Sequence, residues 1–125
     1  MEERADIFLI VDDEPDMCWA LKHILKEHGF LSKTAQNGHE AFALVEQYRF
    51  RAVFLDAKLP DIDGFELAKR IRNVDPVIRI VMITGYFYGD DVAVENALAQ
   101  GVICSFISKP FSHIEILNAI EISCH

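Results

Sequence analysis

Five short runs of β-branched and aromatic residues alternate with five helical patterns along 125 residues, and few architectures accept that order. The runs fall near 6–11, 30–35, 51–55, 78–83 and 102–107, and the helical patterns near 15–28, 38–48, 64–73, 90–100 and 112–123. Three of the runs are almost wholly apolar, as strands buried on both faces are. Pro15 suits a first helical turn, and Gly29 and Gly101 suit the residue after a helix. Asn37 with Glu40, and Ser112 with Glu115, have the spacing of capping boxes. Strict βα alternation with short connections predicts an α/β fold: a parallel sheet with helices on both faces and right-handed crossovers. At this length residues 1–125 are expected to form one domain, without repeat or linker.

In a parallel sheet the C-terminal strand ends share one edge, and ligands bind there. Asp12-Asp13 ends the first run, Asp56 the third and Thr84 the fourth, and Lys109-Pro110 follows the fifth. Three acids, a hydroxyl and an ammonium are therefore expected to converge. Ionised carboxylates about 4–6 Å apart repel by a few kcal/mol per pair, so gathering them calls for a cation. Hard oxygen donors suit Mg²⁺ or Mn²⁺ better than a soft metal, and the ammonium and hydroxyl suit a phosphoryl group. The Lys109-Pro110 bond is one that can be cis and so fix the lysine's direction. Asp61-Ile62-Asp63-Gly64 reads as a turn before a helix, with no chemistry assigned to it.

Composition narrows the classes. Twenty acids against 12 bases give a net charge of −8, which argues against a primary role in binding nucleic acid. No stretch is long and apolar enough for a bilayer span, and the charged start Met1-Glu2-Glu3-Arg4 is no signal peptide. Cys18, Cys104 and Cys124 lack Cys-x-x-Cys spacing and are expected to be reduced packing residues of a cytoplasmic protein. The five histidines have no ligand spacing.

Together, Asp12-Asp13, Asp56 with Leu59-Pro60 and Asp63-Gly64, Thr84, and Lys109-Pro110-Phe111 give a specific pattern. On it the chain resembles, over essentially its whole length, the response regulator receiver domain of two-component signalling. The resemblance implies a flavodoxin-like, doubly wound fold with strand order 2-1-3-4-5. It implies that Asp56 accepts a phosphoryl group from a phosphohistidine on a sensor histidine kinase or phosphotransfer protein. Asp13, Asp56 and the backbone carbonyl of Lys58 would ligate Mg²⁺, with Asp12 acting through a water. Lys109, the Thr84 hydroxyl and the backbone N–H groups of Ala57 and Gly85 would contact phosphoryl oxygens. Thr84 and Phe106 would form the switch, read out by a homodimer or a separate effector through helix four, strand five and helix five.

Some positions depart from the usual family pattern. Gly85 replaces a more usual Ala, and Phe106 a frequent Tyr, so Phe106 can report only by packing. Lys58 and Tyr86 stand where the family sets the lifetime of the phosphorylated state. On helix one, Met17, Leu21, Ile24, Leu25 and His28 form the expected buried stripe, leaving Trp19 as an exposed anchor for a partner. On helix five, Leu117 and Ile120 are expected inside with Ile116 at their flank, and Ile114 and Ile122 outside. An aspartyl-phosphate hydrolase is the alternative, but it usually carries a second acid two residues after the nucleophile, where this chain has Lys58. A flavin carrier of the same fold is disfavoured because Asp12-Asp13-Glu14 would repel the flavin phosphate, and a receiver that has lost phosphorylation is disfavoured because the key side chains are all present.

Overall fold

The computed structural model describes residues 7–85 and 92–121, the side chains of Ala93 and Glu121 excepted. Strands β1 (Ile7–Val11), β2 (Leu31–Ala35), β3 (Ala52–Asp56), β4 (Arg79–Thr84) and β5 (Ser105–Ser108) alternate with helices α1 (Pro15–Glu27), α2 (Gly38–Gln47), α3 (Gly64–Val74), α4 (Val92–Ala99) and α5 (His113–Glu121). The sheet order is β2-β1-β3-β4-β5 and each pairing is parallel, the flavodoxin-like order expected. The register pairs Ile10 with Phe54 and Phe54 with Val81. Side chains of the central strands therefore form two apolar layers by simple alternation.

One layer gathers Leu9, Val53, Leu55, Ile80 and Met82 against Ala41 and Val45 of α2 and Leu67 and Ile71 of α3. The other gathers Phe8, Ile10, Phe54, Val81 and Ile83 against Leu21, Ile24 and Leu25 of α1 and Ile116, Ala119 and Ile120 of α5. β1, β3 and β4 lie between the two layers, which is why their runs read as continuously apolar.

The helix ends follow their signals. Gly29 (φ 82°) and Gly101 (φ 74°) are left-handed, a conformation that costs glycine little. Each closes a Schellman motif: Phe30 N–H donates to Leu25 O at 3.0 Å, and Val102 N–H to Ala97 O at 2.9 Å. This second motif corrects one strand boundary. Val102 and Ile103 both donate back to Ala97 O, so the run expected from 102 is spent on ending α4, and β5 begins at Ser105.

Helix faces need adjusting too. On α1 the buried set is Cys18, Leu21, Ile24 and Leu25; Met17 is only half-buried and His28 is exposed. On α5 Ile116 is fully buried, and Leu117 only partly. Ile114 is exposed as expected. Cys18 is free and buried, but Cys104 is disulfide-bonded, so the expectation of three reduced cysteines fails there. Tyr86, Ile122, Cys124 and the start expected for helix four lie outside the described residues. Among the described residues, no helix is long and apolar enough to cross a membrane.

Candidate functional site

β1 and β3 lie side by side at the centre of the sheet and run the same way. Asp12, one residue past the end of β1, and Asp56, the last of β3, therefore meet at one edge. Asp12, Asp56 and Thr84 are all buried there, an unusual place for carboxylates unless they are paired. Asp13 is exposed beside them. Carboxylate oxygens of Asp12, Asp13, Glu14 and Asp56 all lie within 4.8 Å of one another. At that spacing two ionised groups repel by about 3 kcal/mol at an effective dielectric near 20.

Lys109 offsets part of this. Its Nζ lies 2.8 Å from Asp12 Oδ2, 3.5 Å from Glu14 Oε1 and 3.7 Å from Asp56 Oδ2. The Lys109–Pro110 peptide is cis, and Lys109 N–H donates to Thr84 O at 2.8 Å. Burial alone would lower the lysine's pKa, but the Asp12 hydrogen bond and the surrounding carboxylates raise it above its ordinary value. The ammonium therefore stays charged.

Asp56 is left less well compensated. Burial and then the neighbouring Asp12 charge push its pKa up to about 6, against the opposing pull of Lys109 and the Lys58 N–H. One cation among four carboxylates is not enough, and the unbalanced donors are all hard oxygens. The set fits a small divalent cation in chemistry. Asp12 is also fastened from behind. Its Oδ1 accepts from Glu14 N–H at 2.9 Å, and its carbonyl accepts from Cys18 Sγ at 3.3 Å.

The remaining site residues are placed unevenly. Lys58 is exposed and lines a cleft of about 320 Å³ with Asp13, Glu14, Asp56, Leu59 and Pro60. Its N–H points to Asp56 Oδ1 at 3.3 Å. Ala57 N–H, expected to face a phosphoryl group, is instead committed to Ile83 O at 3.1 Å. It continues the β3–β4 ladder, which leaves Lys58 as the backbone donor beside Asp56. Gly85 is exposed at the end of β4. Phe106 pairs with Met82 across β4 and β5 and packs, half-buried, against the layer that contains Met82. Thr84 lies two residues beyond Met82, on the same face of β4. Glu14 was missed as a lysine partner; its position directly after the acidic pair was the available signal.

Comparison with known proteins agrees with this geometry. Residues 8–121 match the response regulator receiver domain. The chain is 33% identical over 113 residues to sporulation initiation phosphotransferase F of Bacillus subtilis, spanning 90% of this chain and 89% of that protein. Among solved structures, a CheY-like receiver domain protein from Methanospirillum hungatei superposes with a TM-score of 0.83 at 30% identity, covering 92% of this chain and 90% of that one. The response regulator TrrA of Thermotoga maritima, solved with Mg²⁺ and BeF, superposes with a TM-score of 0.80 at 30% identity, covering 92% and 96%. Receiver domains are signalling switches that take a phosphoryl group on aspartate and work with kinases or phosphotransfer proteins and effector domains. The chain, with its sheet order, its acidic edge and its match over residues 8–121, belongs to the response regulator receiver domain family.

Proposed function

We propose that Asp56 is the phosphoacceptor of a single receiver domain spanning residues 1–125, and that it is charged by a phosphohistidine on a sensor histidine kinase or phosphotransfer protein in the cytoplasm. The observation that carries this reading is the buried Asp56 carboxylate, held 3.7 Å from Lys109 Nζ among three other acids. An Asp56 oxygen attacks phosphorus, the O–P bond forms, and the N–P bond breaks with its electron pair returning to the imidazole. Such a transfer needs placement and charge neutralisation more than covalent help. Lys109 pairs with a phosphoryl oxygen, while the Thr84 hydroxyl and the N–H groups of Lys58 and Gly85 donate to others. Asp12, Asp13, Asp56 and the Lys58 carbonyl would hold Mg²⁺ or Mn²⁺, which when bound supplies a second centre of positive charge. The same geometry supports slow self-dephosphorylation by water entering the cleft beside Lys58. An aspartyl-phosphate hydrolase is not favoured, because Lys58 stands where a second acid would be needed.

Thermal unfolding tests the metal part of this reading. A ligand that binds only the native state adds about 2.7 kcal/mol at a hundredfold excess over Kd. Mg²⁺ is expected to raise the melting temperature of the wild type, and Asp13→Ala to abolish most of the rise. An unchanged melting temperature in excess Mg²⁺ would contradict the assignment.

A further inference from the structure

The loop 57–63 between β3 and α3 carries both backbone groups of Lys58 on which the site depends. The N–H faces Asp56, and the carbonyl is the ligand expected for the metal. A backbone group on a loop is only as well placed as the loop is fastened. The ends of this loop are held locally. Gly64 N–H donates to Ala57 O at 2.8 Å, and Lys58 and Asp63 form an isolated antiparallel bridge.

The middle of the loop is held from outside. Asp61 Oδ1 accepts from Gly38 N–H at 2.8 Å and Oδ2 from His39 N–H at 3.0 Å. One carboxylate thus takes the first two N–H groups of α2, a helix that begins more than 20 residues earlier in the chain. The third N–H, that of Glu40, goes to the helix's own cap, Asn37 Oδ1, at 2.8 Å. Charge-assisted bonds to a helix N-terminus are strong for their length. The Gly38 N–H bond, followed by the His39 N–H bond, holds the Asp61 carboxyl below its ordinary pKa.

The seat is shaped from both sides. A Cβ on Gly38 would collide with Ile62 Cγ2 and come within 3.3 Å of Asp61 Oδ1. The absence of a Cβ at residue 38 leaves room for the Ile62 and Asp61 side chains against the helix start. Asp61 itself stands five residues after Asp56 in the chain.

We propose that Asp61 is a positioning residue for the phosphoacceptor site. By clamping the β3–α3 loop onto the first turn of α2, it fixes the Lys58 backbone beside Asp56. The inference rests on the reading of Asp56 as a metal-assisted phosphoacceptor.

The test compares Asp61→Ala with Asn37→Ala, which strips a cap from the same helix without touching the loop. Mg²⁺ binding to the full chain is measured by calorimetry, and amide exchange of Lys58, Leu59, Asp61 and Ile62 is measured in chelator. Asp61→Ala is expected to weaken Mg²⁺ binding about tenfold, the scale on which outer partners affect a metal site, and to speed loop exchange without metal. Asp61→Asn, which keeps one acceptor oxygen, should fall between. Asn37→Ala should leave Mg²⁺ affinity and loop exchange near wild type even where it lowers the melting temperature. The phosphorylation rate of Asp61→Ala at saturating Mg²⁺ should return towards wild type. Unchanged Mg²⁺ affinity in Asp61→Ala, or an equal loss in Asn37→Ala, overturns the proposal alone. A wild type that neither binds Mg²⁺ nor takes a phosphoryl group overturns the underlying reading and the proposal with it.

Discussion

Asp56 is at once the most useful and the most costly residue of the sheet edge. Its pKa of about 6 in the fold exceeds the ordinary aspartate value near 3.9 expected of the unfolded chain. Between these values the folded state binds more protons than the unfolded one, so this group lowers stability as pH rises from about 4 to about 6. Above that range its contribution is flat and unfavourable by about 3 kcal/mol. In chelator, Asp56→Asn is therefore expected to be more stable than wild type at pH 8, with the advantage disappearing near pH 4. Urea unfolding at the two pH values checks this, and an equal difference at both would show that the Asp56 charge is not the cause. The glycines offer a second contrast. A Cβ on Gly64 would lie 2.6 Å from Ala57 Cα, whereas one on Gly85 would be in ordinary contact with Lys109 Cδ at 3.6 Å and Cβ at 3.8 Å. Gly64→Ala is expected to cost about 2–3 kcal/mol, as overpacking does. Gly85→Ala should leave stability unchanged or raise it by about 0.5 kcal/mol. Denaturant midpoints of the two variants measure the difference.

At the scale of elements, legibility followed the range of the interactions. Strands β1, β3 and β4 announced themselves because burial on both faces keeps polar residues to their ends, Asp56 in β3 and Arg79 and Thr84 in β4, and the strand order came with the resemblance. The capping boxes were legible because a cap acts within four residues. At Ser112 the bonds are reciprocal: Glu115 N–H donates to Ser112 Oγ at 3.2 Å, and Ser112 N–H to Glu115 Oε1 at 3.1 Å. The start of β5 was misplaced because the hydrophobicity of Val102 and Ile103 suits a Schellman motif as well as a strand. Met17 displaced Cys18 in the expected α1 stripe because a small thiol reads weakly as apolar, yet it sits closer to the core and bonds Asp12 O. The site's acids, Thr84 and Lys109 were legible from their places at strand ends. Ala57 was assigned to the wrong bond because sequence position cannot tell a ladder donor from a free one. The Asp61 clamp on α2 spans 23 residues, and no local pattern announces such a contact.

Across the whole molecule, the link from Asp56 to a distant surface runs through β4 and β5. Thr84 and Phe106 share one face of adjacent strands, and Phe106 is half-buried against the core. Packed layers tend to switch between discrete arrangements rather than deform smoothly. Phosphorylation is expected to change amide protection in α4, β5 and α5, where Leu98 and Ile114 are exposed, and Phe106→Ala should uncouple that change from phosphorylation itself. Protection changes confined to the loops around Asp56 would show that this face is not the output, whether that output is a homodimer or a separate effector. Trp19, exposed and stacked on His23 at 5.2 Å, lies on α1, apart from that route. The switch begins with the residue that takes the phosphoryl group, and intact-mass spectrometry after incubation with acetyl phosphate and Mg²⁺ reads that directly. One phosphoryl group is expected on the wild type, with none on Asp56→Asn and none in chelator. Uptake by Asp56→Asn, or no uptake by the wild type, would contradict the assignment of Asp56 as the phosphoacceptor.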